Sequence, residues 1–301
     1  MSESIVASST NTNKITWADL LWETAKSLEE NGIDSYKVEA QWIIETASGF
    51  SREELLKNIR NEAPLLGAKH LNKILSRRLS GEPIQYALGS WSFRELDLLV
   101  DHRVLIPRPE TETLVDVAHT MLSQFDRRLK KFVCDLGAGS GAIGLAIAQE
   151  RNDVEVYLVE KSAEALKVAS ANLAGLGNHA VKVKVFHSCW FDELPRELHN
   201  SFHLIVSNPP YIADSESLPN EVANFEPHEA LFAGEKGTEH IETILLASPK
   251  WLMESGGVVL EMAPDQTDSM AETARELGYS SIEISKDLSG KPRIMSCVWG
   301  K

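Results

Sequence analysis

A ten-residue stretch from Phe132 to Gly141 decides the fold, and it reads FVCDLGAGSG. Its first half is mostly apolar and predicts a strand. Its three glycines on alternate positions predict a tight turn, because glycine adopts positive φ without a steric penalty. In open α/β sheets a turn of this kind lies at the carboxyl edge, where ligands bind. The stretch therefore predicts an α/β fold with a ligand site at this turn.

The rest of the chain after residue 131 alternates between strand-like and helical patterns. The predicted strands cover residues 132–136, 154–160, 181–186, 204–207, 257–261, 281–284 and 293–299. One predicted helix begins at Gly141, and the others cover residues 162–176, 238–253 and 266–277. This alternation predicts an open, mostly parallel, twisted sheet with helices on both faces.

The first third of the chain is predicted to be helical, with four short helices and no strand between them. Thr16 precedes the first apolar series, a second helix covers residues 35–48, and a fourth covers residues 65–79. Ser51 and Glu54 have the spacing of a capping box that begins the third helix. Four short helices of this kind indicate a small bundle.

The domain boundaries follow from these patterns. We expect a disordered tail at residues 1–13, a helical domain at 14–85, a connecting hairpin at 86–106 and the α/β domain at 107–301, where residues 111–129 are again helical. The tail is polar and lacks the apolar core of a secretory signal, and no run of apolar residues approaches the length of a membrane span. We therefore expect a cytoplasmic protein without membrane association.

The charge balance bears on the class of partner. The net charge of −14 divides into −2 for residues 1–131, from 17 basic and 19 acidic residues, and −12 for the remainder, from 13 and 25. Proteins that bind nucleic acid usually concentrate positive charge against the phosphates. Neither part of the chain does so, and we therefore expect no direct binding to DNA or RNA.

Three cysteines, Cys134, Cys189 and Cys297, form an odd number without the spacing of metal ligands. This usage is typical of free thiols in a reducing compartment. The sequence therefore predicts neither a disulfide framework nor a metal site.

The glycine-rich turn has the spacing Gly-x-Gly-x-Gly, which differs from the Gly-x-Gly-x-x-Gly of dinucleotide sites. Asp135 would repel a pyrophosphate, but it suits a cationic ligand that carries an amino group and a sulfonium. Glu160, at the end of the next strand, is positioned to accept hydrogen bonds from two ribose hydroxyls. S-adenosyl-L-methionine has all of these groups. The alternative for the glycines by themselves is an ordinary strand-to-helix connection.

A second motif, Asn208-Pro209-Pro210-Tyr211, directly follows an apolar strand. The two prolines fix φ and remove two backbone donors, so the segment is stiff and rich in acceptors. The Asn208 side chain and the Pro209 carbonyl could accept both N–H bonds of a planar –NH2 group and orient its nitrogen toward a methyl donor. Side-chain amides and nucleobase amines both fit this description. The alternative for the motif by itself is a rigid turn.

The two motifs together resemble the amino-methyltransferases, and three other segments narrow the resemblance. These are GEPIQY at 81–86, IPRPETE at 106–112 and FEP at 225–227, followed by AL at 230–231. In this order they resemble the peptide chain release factor N5-glutamine methyltransferase family, also called the HemK family, from about Trp17 to the C-terminus. Related enzymes that act on a ribosomal protein have a different sequence after Pro107-Arg108, which favours the release-factor branch.

The resemblance implies a fold and an activity. The fold would be a seven-stranded, Rossmann-like class I S-adenosylmethionine-dependent methyltransferase domain, preceded by a helical domain that recognises the release factor. The activity would be methylation of the glutamine in the Gly-Gly-Gln motif of peptide chain release factors. We expect a monomer that uses S-adenosyl-L-methionine and no metal.

The resemblance and the residue patterns together give the expected site residues. The residues expected to form the cofactor site are Asp135, Gly137, Ala138, Gly139, Ser140, Gly141, Glu160, Trp190 and Asn208. Those expected to hold the glutamine and serve catalysis are Asn208, Pro209, Pro210 and Tyr211, with Arg108 as a further substrate contact. One departure is Cys189, since the family commonly has an acidic residue there and a thiol is a weak acceptor.

Several alternatives remain open at this point. Arg108 could instead form a surface ion pair with Glu110 or Glu112, and Glu226 could brace the loop that carries Asn208. A methyltransferase for adenine or guanine amino groups in nucleic acid would use the same tetrad, although it would need a basic surface. A binding protein that has kept the fold without the activity is the third possibility, motivated by Cys189.

Overall fold

The structure is a computed structural model and describes residues 14–300, so the tail predicted at residues 1–13 lies outside the described residues. The chain divides into two compact units, one that ends at Gly89 and one that begins at Ser90. The sequence-based boundary lay at residue 85. The segment 86–106, which the sequence suggested as a separate connection, is divided between the two units. None of the described helices is both long and apolar enough to cross a membrane.

The first unit is entirely helical. Its helices are α1 Trp17–Glu30, α2 Tyr36–Ser48, α3 Arg52–Asn58, α4 Leu65–Leu79 and α5 Ile84–Leu88. The first four were predicted, and the capping box at Ser51 and Glu54 is confirmed. The fifth is only five residues long, which is too short for a periodic pattern. It begins after Pro83 and ends at Gly89, whose φ of 86° is the left-handed conformation that glycine favours.

A core of apolar side chains holds the helical unit together, among them Trp17, Leu20, Ile43 and Leu71. Gly67 allows α4 to lie against Trp17, because a Cβ at this position would be only 2.7 Å from Trp17 Cη2. Burial of these side chains, rather than helix propensity, supplies most of the stability of such short helices.

The second unit contains the sheet. Its strands are β1 Ser90–Phe93, β2 Leu96–Leu99, β3 Lys131–Leu136, β4 Val154–Glu160, β5 Val183–His187, β6 Phe202–Ser207, β7 Ile212–Ala213, β8 Phe232–Gly234, β9 Leu252–Glu261, β10 Tyr279–Lys286 and β11 Pro292–Trp299. Seven of them form one sheet in the order β10-β11-β9-β6-β3-β4-β5, in which β11 pairs antiparallel with both β10 and β9 and all other pairs are parallel. The predicted open, mostly parallel sheet is confirmed. The pairs β1–β2 and β7–β8 form two small sheets.

The helices of the second unit are α6 Glu112–Leu122, α7 Ala142–Glu150, α8 Ala163–Gly175, α9 Asn220–Phe225, α10 Glu239–Ala247 and α11 Thr267–Glu276. Two predicted ends were wrong. The helix predicted over residues 238–253 ends at Ala247, because Pro249 cannot continue it and the chain enters β9 at Leu252. The helix predicted over residues 111–129 ends at Leu122. The extended piece expected at residues 104–106 forms no strand.

Sheet register brings distant parts of the sequence together at the carboxyl edge. Leu136 at the end of β3 pairs with Ser207 at the end of β6, and Ser207 pairs with Leu260 of β9. The segments that follow these three strands therefore begin at the same level of the sheet. The glycine-rich turn, the Asn208 tetrad and Glu261 consequently lie at one edge, where open α/β folds bind ligands.

Candidate active site

The glycine-rich turn has the backbone that its sequence predicts. Gly137, Gly139 and Gly141 all have positive φ, at 67°, 56° and 86°. The N–H groups of Gly137 and Ala138 both donate to the carbonyl of Val159, at 2.9 and 3.0 Å, which ties the turn to β4. A side chain at any of the three glycines would strain this conformation. The turn therefore presents bare backbone at the carboxyl edge of the sheet.

Asp135 is buried beneath this turn and does not line the cleft above it. Its Oδ2 accepts a hydrogen bond from the Gly144 N–H at 2.8 Å, whereas its buried Oδ1 has no partner among the described residues. Burial raises the pKa of Asp135 to about 7, opposed by the Gly144 N–H and reinforced by the charge of Glu160. The geometry differs from the direct ligand contact that the sequence suggested.

Glu160 lies above the turn and faces the cleft. Its Oε2 accepts a hydrogen bond from the Gly139 N–H at 2.8 Å, and its Oε1 accepts one from the Ser162 N–H at 2.7 Å. Each carboxylate oxygen has more than one lone pair, so both can still accept from a ligand. The carboxylate is thus held in place by the backbone while its remaining acceptors are directed to the cleft.

Trp190 forms an aromatic wall next to the turn. Its indole lies over Gly137, where a Cβ would be 3.5 Å from Cζ3, and its ring centroid is 5.3 Å from that of His240. The φ of Trp190 is 49°, a strained conformation for a bulky residue, and such strain concentrates at functional sites. Cys189 lines the cleft beside it.

The Asn208 tetrad is held from both sides. Asn208 Nδ2 donates to Thr111 Oγ1 at 3.3 Å, and the preceding Ser207 hydroxyl donates to the Leu136 carbonyl at 2.6 Å. Beyond the prolines, the main-chain carbonyl of Tyr211 accepts a hydrogen bond from Gln266 Nε2 at 2.9 Å. Burial raises the pKa of the Tyr211 phenol far above its ordinary value, so it stays protonated. The tetrad is therefore a rigid element with a neutral tyrosine.

One cleft joins the two motifs, and it encloses about 1110 Å³ of empty space that is partly open to solvent. The predicted site residues that line it are Arg108, Gly137, Ala138, Gly139, Ser140, Glu160, Trp190, Asn208 and Pro210. Those that do not line it are Asp135, Gly141, Pro209 and Tyr211. The structure thus brings most of the predicted set around a single cavity, and the others support it from behind.

Arg108 forms an ion pair with Glu226, and not with Glu110 or Glu112. The Glu226 side chain is almost wholly buried, and its second oxygen accepts a hydrogen bond from the Ile106 N–H at 3.2 Å. Arg108 and Ile106 both line the cleft. Glu226 consequently braces the wall formed by the IPRPETE segment, whereas the sequence suggested that it braces the loop with Asn208.

Thr111 and Glu261 belong to the site, although reasoning from the sequence passed over both. Glu261 is only 1% exposed, and the nearby hydroxyls of Thr111 and Tyr211 lower the pKa of its carboxyl. Burial raises the pKa of Glu261 to about 7. A signal was present, because Glu261 and Glu160 are the last residues of apolar strands and Asp135 is the last but one of another. Three acids at the carboxyl ends of strands indicate the edge of the sheet that holds the site.

Comparison with known proteins agrees with this geometry. Residues 112–228 match the model of the methyltransferase small domain, and residues 19–89 match that of the PrmC N-terminal domain. Release factor glutamine methyltransferases from Neisseria gonorrhoeae and Salmonella typhimurium are 36% and 35% identical to the chain. The alignments cover 86% and 91% of this chain and 92% and 95% of those proteins. The chain belongs to the release factor glutamine methyltransferase family.

The solved structures that are similar to this chain support only its fold, because their sequence identity to it is low. The hMettl16 catalytic domain, determined with a MAT2A 3′UTR hairpin, has a TM-score of 0.54 at 15% identity, covering 78% of this chain and 80% of that one. Human methyltransferase 10 domain containing protein has a TM-score of 0.52 at 16% identity, covering 68% and 88%. The second unit thus has the class I methyltransferase fold, and S-adenosyl-L-methionine is the methyl donor of this enzyme.

Proposed function

We propose that this enzyme transfers a methyl group from S-adenosyl-L-methionine to the side-chain amide nitrogen of the glutamine in the Gly-Gly-Gln motif of peptide chain release factors. One observation carries the proposal. A single cleft is lined both by the glycine-rich turn with Glu160 and by Asn208 of the tetrad, in a chain of the release factor glutamine methyltransferase family. The methyl donor and the planar amide that accepts the methyl group would therefore bind at adjacent positions in one cleft.

The residues around the turn fit the methyl donor. Trp190 packs against the bare backbone of Gly137 and lines the cleft, where its indole could stack on a flat ring system, and the fixed Glu160 carboxylate suits a pair of ribose hydroxyls. We assign Gly137, Ala138, Gly139, Ser140 and Glu160 to cofactor binding, with Trp190 against the adenine. When bound, the cofactor supplies a methyl group on a sulfonium, which is already a strong electrophile.

Two other residues assigned to the cofactor site act from a distance. Asp135 and Gly141 do not line the cleft, so their proposed role is to shape the turn. Asp135 holds the Gly144 N–H of α7, and Gly141 supplies the left-handed backbone at which that helix begins. The partial negative charge of Asp135 beneath the turn would also favour a cationic ligand above it.

The tetrad fits a primary amide. An amide nitrogen is a poor nucleophile because its lone pair is delocalised into the carbonyl. Asn208 Oδ1 and the Pro209 carbonyl would accept its two N–H groups and direct the nitrogen toward the methyl group. Pro210 and Tyr211 keep these acceptors in place, and Arg108 at the cleft would contact the substrate chain. The nitrogen becomes acidic as it is alkylated, so no strong base is required.

The helical unit would recognise the release factor. Large apolar side chains that are exposed in this unit include Trp22, Leu65 and Leu66. Exposed apolar side chains that lie together can mark a protein contact, and Leu65 and Leu66 are neighbours at the beginning of α4. We therefore propose that residues 14–89 bind the folded release factor while the cleft receives its glutamine.

Mass spectrometry of a release factor incubated with enzyme and cofactor tests the proposal. The Gly-Gly-Gln peptide should become one methyl heavier. Asn208→Ala should lower the rate by about 100-fold or more, because an orienting acceptor is lost. The matched control Asn178→Ala, at an exposed position outside the cleft, should behave as the wild type. Cofactor binding to both variants is measured by calorimetry.

Two results would contradict the proposal. One is the absence of methylation of release factors under conditions in which calorimetry shows that the cofactor binds. The other is transfer of the methyl group to amino groups of RNA or DNA instead, with the salt dependence that phosphate contacts produce.

A further inference from the structure

Glu261 is a buried acid beside the tetrad, and no role assigned so far accounts for it. It is the last residue of β9, and the pairing of Leu260 with Ser207 puts it at the level of Asn208, which directly follows β6. Its side chain is almost wholly buried, and its Oε2 has no hydrogen-bond partner among residues 14–300. A buried carboxyl with an unpaired oxygen is destabilising, and such groups are retained where they serve function.

The Thr111 hydroxyl connects this acid to the tetrad. It receives the Asn208 Nδ2–H at 3.3 Å, and it is close enough to the Glu261 carboxyl to lower the pKa of that group. A hydroxyl has one proton, and a carboxylate can only accept. When Thr111 donates its proton to Glu261, it can offer Asn208 only lone pairs. The Asn208 amide must then turn its nitrogen toward Thr111.

This direction matters because an asparagine amide can turn over and exchange its oxygen and nitrogen. Only the orientation with Nδ2 on Thr111 leaves Oδ1 free to accept an N–H from a substrate amide. In the opposite orientation Asn208 would present N–H groups to a substrate that itself presents N–H groups. The pairing would be repulsive, and the nitrogen to be methylated would lose its alignment.

We propose that Glu261 and Thr111 are positioning residues that fix the orientation of the Asn208 side-chain amide, so that its oxygen faces the cleft. The inference rests on the proposed function, because it assigns the acceptor to which the substrate amide binds. Neither residue lies next to the Asn208 motif in the sequence. Thr111 lines the cleft with Asn208, whereas Glu261 does not line it. Both act on catalysis through the direction of one hydrogen bond.

The charge of Glu261 sets that direction, and several groups face it. The hydroxyls of Thr111 and Tyr211 and the charge of Arg293 lower its pKa, whereas burial and the charge of Glu110 raise it, with a pKa of about 7 as the result. A protonated Glu261 can donate to Thr111, which removes the constraint on Asn208. The turnover number should therefore fall as Glu261 takes up a proton below about pH 7.

Variants of the full-length enzyme test the proposal. Thr111→Val removes the hydroxyl at nearly constant shape and should lower kcat by about tenfold or more, while KM and the Kd for cofactor change less than about twofold. Thr111→Ser keeps a hydroxyl and should restore kcat to within about threefold of wild type. Thr120→Val on the exposed face of α6 is the matched control and should have no effect.

The pH profile is the second readout. The kcat of the wild type should fall between about pH 8 and pH 6, and Glu261→Gln, which cannot titrate, should have a flat profile over this range at a lower maximum. Thermal melting of each variant with and without cofactor accompanies the kinetics. A merely structural role would lower the melting temperature without changing the shape of the profile.

Three outcomes would overturn the inference. The first is a wild-type kcat for Thr111→Val, and the second is an equal loss for Thr111→Ser and Thr111→Val. The third is a pH profile of Glu261→Gln that follows that of the wild type. Failure of the wild type itself to methylate a release factor would instead contradict the proposed function, so the two failures are distinguishable.

Discussion

Gly144 is the residue at which α7 approaches the sheet most closely. A Cβ here would lie 2.3 Å from Leu158 Cδ2 and 2.9 Å from Asp135 Oδ2, which are both buried. Gly144→Ala should therefore lower the free energy of unfolding by about 1–3 kcal/mol, because the packed neighbours must shift. Denaturant unfolding measures the change.

The matched control for that substitution is Gly175→Ala. Gly175 is the last residue of α8, and a Cβ there meets nothing within 4 Å. Alanine at this helical position should be neutral or stabilising by up to about 1 kcal/mol. If both substitutions destabilised the protein equally, the close contacts at Gly144 would not be the cause of the destabilisation by Gly144→Ala.

Asp135 should make stability depend on pH. Its folded-state pKa of about 7 lies above the ordinary aspartate value of 3.8, so between these values the folded protein holds a proton that the unfolded chain releases. The contribution of Asp135 is therefore fully present below about pH 4 and is lost as the pH rises to about 7, by up to about 1.4 kcal/mol per pH unit. Asp135→Asn should remove this dependence.

The measurement is denaturant unfolding of both proteins at several pH values without cofactor. The difference in unfolding free energy between Asp135→Asn and the wild type should grow in favour of the variant as the pH rises through this window. Glu261 titrates in the same pH range, but it is present in both proteins and therefore does not contribute to the difference between their unfolding free energies. Parallel curves for the two proteins would refute the raised pKa.

At the scale of elements, an ion pair joins two segments that the sheet does not connect. Glu226 follows α9, and it holds both the Arg108 side chain and the Ile106 N–H of the segment before α6. A double-mutant cycle of Arg108→Gln and Glu226→Gln should give a coupling energy of about 1–3 kcal/mol, because Glu226 is buried and the hydrogen bond is charge-assisted.

The cycle is measured by denaturant unfolding and repeated with KM for the release factor. Loss of the pair should loosen one wall of the cleft and raise KM in both single variants. Glu235→Gln, at an exposed position after β8, is the matched control and should change neither quantity. A coupling energy near zero would mean that solvent screens the pair as it screens exposed ones.

At the scale of the whole molecule, the separate tasks proposed for the two units predict separable effects on substrate use. Leu66 in the helical unit is 81% exposed. Leu66→Lys should raise KM for an intact release factor by about tenfold, since loss of an apolar anchor weakens a protein interface. KM for an isolated Gly-Gly-Gln peptide should stay unchanged, because the peptide needs only the cleft.

Leu246→Lys in the methyltransferase unit is the matched control, since Leu246 is 69% exposed in α10. It should leave both KM values as in the wild type. Steady-state kinetics with intact factor and peptide make the comparison. An equal rise of both KM values in Leu66→Lys would argue against a recognition role for the helical unit.

Much of this architecture followed from the sequence, because its signals are local. Periodicity predicted nine of the eleven described α-helices and all seven strands of the main sheet, and the capping box at Ser51 marked where α3 begins. The alternate glycines predicted a turn with positive φ, because backbone conformation depends on steric contacts within a few residues. The two prolines of the Asn208 tetrad likewise predicted a stiff segment rich in acceptors.

The tertiary structure alone decided what each site residue contacts. Asp135 pairs with Leu158 in the sheet, so Glu160 lies two positions nearer the carboxyl edge, and one acid is buried while the other faces the cleft. Arg108 forms an ion pair with Glu226, which is 118 residues away in the sequence. Thr111 lies between Asn208 and Glu261. Such partners are set by strand order, register and burial, which join residues that are remote along the chain, whereas φ, capping and periodicity are settled among near neighbours.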